Sequence, residues 1–268
     1  MPATRHLCRI LTVCSPLLFV ACAGCWTPPN NTIAQERRGL VVMFPGVNGH
    51  PARVRCAYHG LRDAGVDQAI VVQNWVHPLG SVANVVDIRT NRRLAHQYAD
   101  AVTRYAERYP GRPVDFVGYS GGGALAVMTA EVLPRHVRLR NLVLAQAALS
   151  RRYDLTRALK QVEGELVSFY CPTDWFILGL GTSVFGTVDR VFGPSAGKEG
   201  FELERAAPDG SLRRRVRQIA WDHRALAAGH WGGHMGIQTA GWNRIFVAPL
   251  LRVRLGKQPG GAHPMSGV

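Results

Sequence analysis

The sequence predicts an α/β protein built on a mainly parallel sheet covered by helices on both faces. Three observations carry that prediction. Short runs at 39–44, 67–75, 113–119, 141–149, 166–171 and 216–221 read as strands, the first compact and apolar and that at 113–119 ending like a buried strand. Most are separated by segments with apolar side chains at helical spacing, the alternation that produces parallel strands with crossover helices. The run at 113–119 ends in Gly118-Tyr119-Ser120-Gly121-Gly122 and gives way to Ala124, Leu125, Ala126, Val127 and Met128, good helix material with no breaker.

Length and composition fit one large domain. With 268 residues, 47% of them hydrophobic, the chain buries a full core. The formal charge of +14 is carried overwhelmingly by Arg, which admits nucleic acid, an anionic surface or an acidic substrate as partner. The basic residues are scattered, however, as at Arg37 and Arg38, Arg92 and Arg93, and Arg151 and Arg152, and no nucleic-acid motif frames them. The expectation is therefore solvated basic faces and no nucleic-acid partner.

In chain order, residues 1–25 read as an export signal. Arg5 and Arg9 precede an apolar core from Ile10 to Ala21 that is short for a transmembrane helix. Cys22-Ala23-Gly24-Cys25 is similar to the box at which bacterial lipoproteins are cleaved and lipidated, with Cys22 where Leu is usual, while Ala21-Cys22-Ala23 equally suits an ordinary signal peptidase. The expected location is outside the cytoplasm, in the cell envelope or secreted, with an N-terminal lipid as the means of membrane anchoring. Residues 26–38, rich in Pro and Asn, read as a linker, 39–255 as the folded domain, and 256–268 as a loose Gly/Pro tail. Helices are expected at 51–64, 88–109, 121–133, 154–162 and 241–255, the last kinked or split by Pro249. Cys56 and Cys171, the two cysteines of the body, are expected as buried thiols.

The chemistry centres on Ser120. A strand that turns sharply into a helix at a Ser strains that residue and needs small neighbours two positions away, which Gly118 and Gly122 provide. A Ser hydroxyl is a poor nucleophile near neutral pH, so it requires a base and a carboxylate that orients the base. Asp174, just past the strand at 166–171, is the candidate acid, with Asp154 as substitute. His234, preceded by Gly232 and Gly233, is the candidate base; His230 remains an alternative, and His223 reads as a surface residue. Two N–H groups must meet the developing oxyanion. Gly121 supplies one, and Val47, in the loop Phe44-Pro45-Gly46-Val47-Asn48-Gly49, supplies the other.

Strand, P-G-x-x-G loop, G-x-S-x-G turn, then acid and His in that chain order resemble the α/β-hydrolase superfamily, over roughly residues 39–255. The resemblance implies Ser120 as nucleophile, His234 as base, Asp174 as acid, and Val47 and Gly121 as oxyanion donors. Phe44-Pro45-Gly46 departs from it, standing where many members have His-Gly. Little room remains for a lid domain; in the longest interruption, 175–215, the apolar residues Trp175 to Leu180 and Phe185 are candidates for one wall of an acyl pocket. The expected activity is hydrolysis of a small-molecule or lipid-like ester by a lipase- or esterase-like enzyme. The alternatives are acyl transfer at the same residues and a non-catalytic envelope binding protein. No metal cluster at ligand spacing and no phosphate-cradling loop is present in the sequence, so neither metal nor cofactor is expected.

Overall fold

A computed structural model describes residues 26–174 and 186–253. The signal segment, its cysteines, the apolar stretch 175–185 and the tail lie outside the described residues. In chain order the elements are α1 (Ile33–Glu36), β1 (Leu40–Phe44), α2 (Arg55–Asp63), β2 (Ala69–Val72), α3 (Ser81–Val86), α4 (Ile88–Arg108), β3 (Val114–Tyr119), α5 (Gly121–Glu131), β4 (Asn141–Ala145), α6 (Thr156–Lys160) and β5 (Leu166–Tyr170). The short helices α7 (Ala196–Glu199), α8 (Leu203–Ala206) and α9 (Gly210–Arg213) follow, then β6 (Val216–Ala220), α10 (Ala240–Trp242) and α11 (Ala248–Leu251).

The six strands form one wholly parallel sheet in the order β2-β1-β3-β4-β5-β6. Successive side chains point to opposite faces, so each central strand feeds two cores. Leu40, Val42, Phe44, Phe116, Leu142 and Leu144 pack under α4 and α5. Val41, Met43, Val117, Tyr119, Val143 and Val167 pack under α2 and the C-terminal helices. Helix α5 is buried along Gly121 to Ala130 and apolar all round, as a helix enclosed on every side must be.

Where elements end differently from the expectation, backbone geometry gives the reason. Strand β4 stops at Ala145 because Gln146 adopts φ 50°. Strand β2 stops at Val72, and the chain bends so that the Trp75 indole N–H donates to the Pro45 carbonyl at 2.8 Å. The C-terminal helix is broken into α10, a π-turn at Asn243–Val247 and α11, which leaves Pro249 in the first turn of α11, where its missing N–H costs nothing. Residues 26–38 do more than link. Thr32 and Gln35 form a capping box on α1, Asn31 exchanges hydrogen bonds with the backbone of Ile70, and the Trp26 ring lies 5.4 Å from that of Tyr58. Cys171 is fully buried, with its Sγ 3.2 Å from Thr173 Oγ1, whereas Cys56 is only half-buried.

The amino edge of the sheet is closed by polar pins. Asp115, wholly buried on β3, is bridged by the Arg140 guanidinium, which also donates to the Leu251 carbonyl. Gln68 donates to the same carbonyl and Asn141 to that of Leu250. Burial raises the Asp115 carboxyl to about 6 against the opposing pull of Arg140.

Candidate functional site

The carboxyl ends of the central strands converge on Ser120. Leaving β3, the chain reverses at Ser120 with φ 55° and ψ −123°, a conformation that costs a non-Gly residue of order 1–3 kcal/mol and persists only where its surroundings hold it. They do so through the backbone: Ser120 N–H donates to the Ala145 carbonyl at 2.9 Å, and the Ser120 carbonyl accepts from Gly123 (2.9 Å) and Ala148 (3.0 Å). The closeness of strand and helix explains the glycines. A Cβ on Gly118 would stand 2.5 Å from Gly123 Cα, and one on Gly122 would stand 2.2 Å from the carbonyl oxygens of Phe44 and Pro45.

Asp174 lies in the turn after β5, its N–H donating to the Cys171 carbonyl at 3.1 Å. His234 follows Gly232 and Gly233, both left-handed at φ 80° and 75°, which swing the chain back over the sheet. The three side chains meet. His234 Nδ1 lies 2.6 Å from Asp174 Oδ2, and His234 Nε2 lies 2.8 Å from Ser120 Oγ. A carboxylate only accepts, so the proton on Nδ1 points at Asp174 and Nε2 is left to accept from the Ser120 hydroxyl. Ser120 and Asp174 are only 3% and 2% exposed, and the His234 side chain 9%. With so little water present, charges that develop there are weakly screened.

The loop after β1 passes beside the hydroxyl. A Cβ on Gly46 would stand 3.5 Å from Ser120 Cβ, and Val47 Cγ1 would be 2.4 Å from a Cβ on Gly121. Among the described residues no backbone carbonyl accepts from the N–H of Val47 or of Gly121.

No protein-family model and no curated protein matches the chain. Among solved structures, Aspergillus fumigatus lipase B aligns with a TM-score of 0.51 and 13% identity, over 84% of this chain and 55% of its own. The chain has the α/β-hydrolase fold. It spans just over half the length of that lipase. RedJ, solved with a PEG molecule in its active site, aligns at 17% identity over 75% of this chain and 87% of its own with a TM-score of 0.43. The NocB thioesterase domain aligns at 16% identity over 77% and 93% with a TM-score of 0.39.

Within this hydrolase fold the residues left aside by the sequence reading fall into place. His230 is 2% exposed, its Nε2 3.4 Å from the Gln146 amide nitrogen and away from Ser120, and burial lowers its pKa to about 4 although the nearby Asp174 charge opposes the shift. Asp154 is an exposed turn residue accepting from the Thr156 N–H, and His223 is exposed at the start of the 3-10 helix His223–Ala228.

Three residues that the sequence reading missed brace the site. Asn84, 2% exposed, donates to the Val47 carbonyl at 2.6 Å and is itself held by Asn91, whose amide donates to the Asn84 carbonyl at 2.8 Å. Trp75 fixes Pro45. Gln146 donates to the Gly233 carbonyl at 3.2 Å, one residue before His234. The only signal for Asn84 is a lone amide in the apolar stretch Ser81-Val82-Ala83-Asn84-Val85-Val86, and Gln146 is likewise the one amide in an apolar stretch. Among the described residues no group of acidic, His and Cys side chains is arranged to hold a metal ion.

Proposed function

We propose that the protein is a serine hydrolase that cleaves a carboxylic ester through an acyl-enzyme. The observation that carries this reading is the His234 ring engaged at both nitrogens, by Asp174 on one side and by Ser120 on the other. Ser120 Oγ attacks the ester carbonyl as its proton passes to His234 Nε2, and Asp174 balances the imidazolium that forms. The N–H groups of Val47 and Gly121 receive the oxyanion. Collapse expels the alcohol, which takes its proton from His234; water then attacks the acyl carbonyl as His234 accepts one of its protons, and the second collapse returns that proton to Ser120 Oγ and releases the carboxylic acid. The likeness in fold to a lipase fits an ester substrate. Export through the N-terminal segment, with lipid attachment at Cys25 or Cys22, belongs to the same proposal and is tested by mass spectrometry of the mature N-terminus.

The experiment is labelling with a fluorophosphonate probe, paired with turnover of p-nitrophenyl esters of increasing chain length. Labelling should occur in the native protein and vanish in Ser120→Ala, and His234→Ala should abolish turnover while His230→Ala retains it. A folded protein that neither labels nor turns over any ester would leave only a binding role for the fold.

A further inference from the structure

Most of the exposed large apolar side chains among the described residues lie on segments that leave the carboxyl edge of the sheet. Among the described residues twelve large hydrophobic side chains are exposed, and eight of them sit on three segments tied to the Ser120 site, so the exposure is concentrated rather than scattered. The first segment runs from Val76 to Val86 and includes α3, whose Asn84 holds Val47; it exposes Val76 (48%), Leu79 (83%) and Val82 (54%). The second carries Phe192 (61%). It is joined to the site through Val188, whose N–H donates to the Ala148 carbonyl, Ala148 in turn donating to Ser120. The third brackets His234 itself, with Trp231 (74%) before it and Met235 (54%) after it.

Charge decides what such a rim fits. The stretches 45–55, 73–93 and 186–194, which leave this edge, contain Arg53, Arg55, Arg89, Arg92, Arg93 and Arg190 against only Asp87 and Asp189. Both acids are engaged within the protein: Asp87 by the Thr90 N–H and His77, and Asp189 by the Ser150 N–H and the Thr187 hydroxyl. Arg89, Arg92, Arg93 and Arg190 are exposed. A second copy of this face would bring like charges together, and a nucleic acid would leave the apolar side chains uncovered. An anionic lipid surface satisfies both, taking the hydrophobic side chains below its headgroups and the guanidinium groups among them. No helix among the described residues is long and apolar enough to cross a membrane.

We propose that this edge docks on anionic lipid surfaces, and that the ester reaches Ser120 from that surface. The second half rests on the hydrolase reading above; the docking itself does not. The test is flotation of the full chain with vesicles of phosphatidylcholine alone or mixed with phosphatidylglycerol. The native reference and every variant carry Cys22→Ser and Cys25→Ser, so that no N-terminal lipid contributes. The native protein should bind the anionic vesicles preferentially, less so at high salt. The triple variant Leu79→Ser, Phe192→Ser, Trp231→Ser should lose more than about tenfold in partition, with fluorophosphonate labelling in solution unchanged. Arg89→Gln with Arg93→Gln should erase the preference for anionic over neutral vesicles. Its ratio of vesicle-borne to soluble ester cleavage should fall in parallel. A triple variant that floats like the native protein, or equal native binding to neutral and anionic vesicles, overturns the proposal. Native protein that floats as expected but does not label at Ser120 supports the docking face and removes the hydrolase reading instead.

Discussion

Replacing Asn84 with Ala separates the shape of the oxyanion loop from its chemistry, because Asn84 never approaches the hydroxyl. Its amide donates to the Val47 carbonyl at 2.6 Å, and that carbonyl belongs to the peptide just after the Val47 N–H proposed to meet the oxyanion. Without the donor, the Val47 carbonyl is free to rotate and carries the loop with it. Losing one oxyanion donor outright costs about 10²–10³ in kcat, so partial misorientation should cost about tenfold to a hundredfold. The stability loss should be small: one hydrogen bond is worth about 0.5–1.5 kcal/mol net, and the Asn91 amide that held Asn84 binds its backbone carbonyl, which an Ala retains. That corresponds to a melting temperature lower by about 2–5 °C. The assay is steady-state hydrolysis of a short p-nitrophenyl ester together with a thermal melt. A drop in kcat at nearly constant KM, with the fluorophosphonate labelling rate falling in parallel, is the expected result. Full kcat in a protein destabilised by the expected amount would refute the idea that Asn84 aims Val47.

Other outcomes follow from the same geometry. Gly122→Ala drives a methyl into two carbonyl oxygens at 2.2 Å and should cost more than about 3 kcal/mol or abolish soluble expression. Gly111→Ala, at φ 72° with open space around it, should cost only about 1 kcal/mol in the same melts. His230 gives an acid-side dependence. Its folded pKa of about 4 lies below the ordinary 6.5, so between these values the unfolded chain binds a proton that the native protein does not. Stability should therefore fall as pH drops from 6.5 to 4, by up to about 3 kcal/mol at roughly 1.4 kcal/mol per pKa unit, and His230→Gln should flatten that slope in denaturant melts. The raised pKa of Asp115 tilts the curve the other way between 3.8 and about 6, which is why the difference between native and variant is the quantity to measure.

Much of this protein was readable from spacing alone, for a physical reason. Strands buried on both faces are dominated by apolar residues, so Leu40-Val41-Val42-Met43-Phe44 announces itself, and Val114 to Tyr119 does so despite the buried Asp115. Gly118 and Gly122 are there because nothing larger fits, which makes Ser120 stand out. The positions the sequence proposed for Asp174 and His234 follow from where strands end, and the structure brings Asp174 within hydrogen-bond distance of His234 and His234 within hydrogen-bond distance of Ser120. What stayed hidden depends on backbone turns without a strong local signature. Gln146 takes a left-handed conformation that few non-Gly residues adopt, so β4 read as four residues too long and its amide went unnoticed. Asn84 works through a partner 37 residues away in sequence, a contact that no periodicity encodes. The choice between His230 and His234 was open because each sits in the same Gly-punctuated loop; only the fold turns one ring inward against Gln146 and the other toward the hydroxyl.

The pinning of Leu250 and Leu251 by Asn141, Gln68 and Arg140 holds α11 at the pole opposite the reactive serine. A fluorophore or solid support coupled through Arg252→Cys, an exposed position beside these pins, therefore sits away from the Ser120 face. Immobilised through that position, the molecule would present its working side outward to substrate or vesicle.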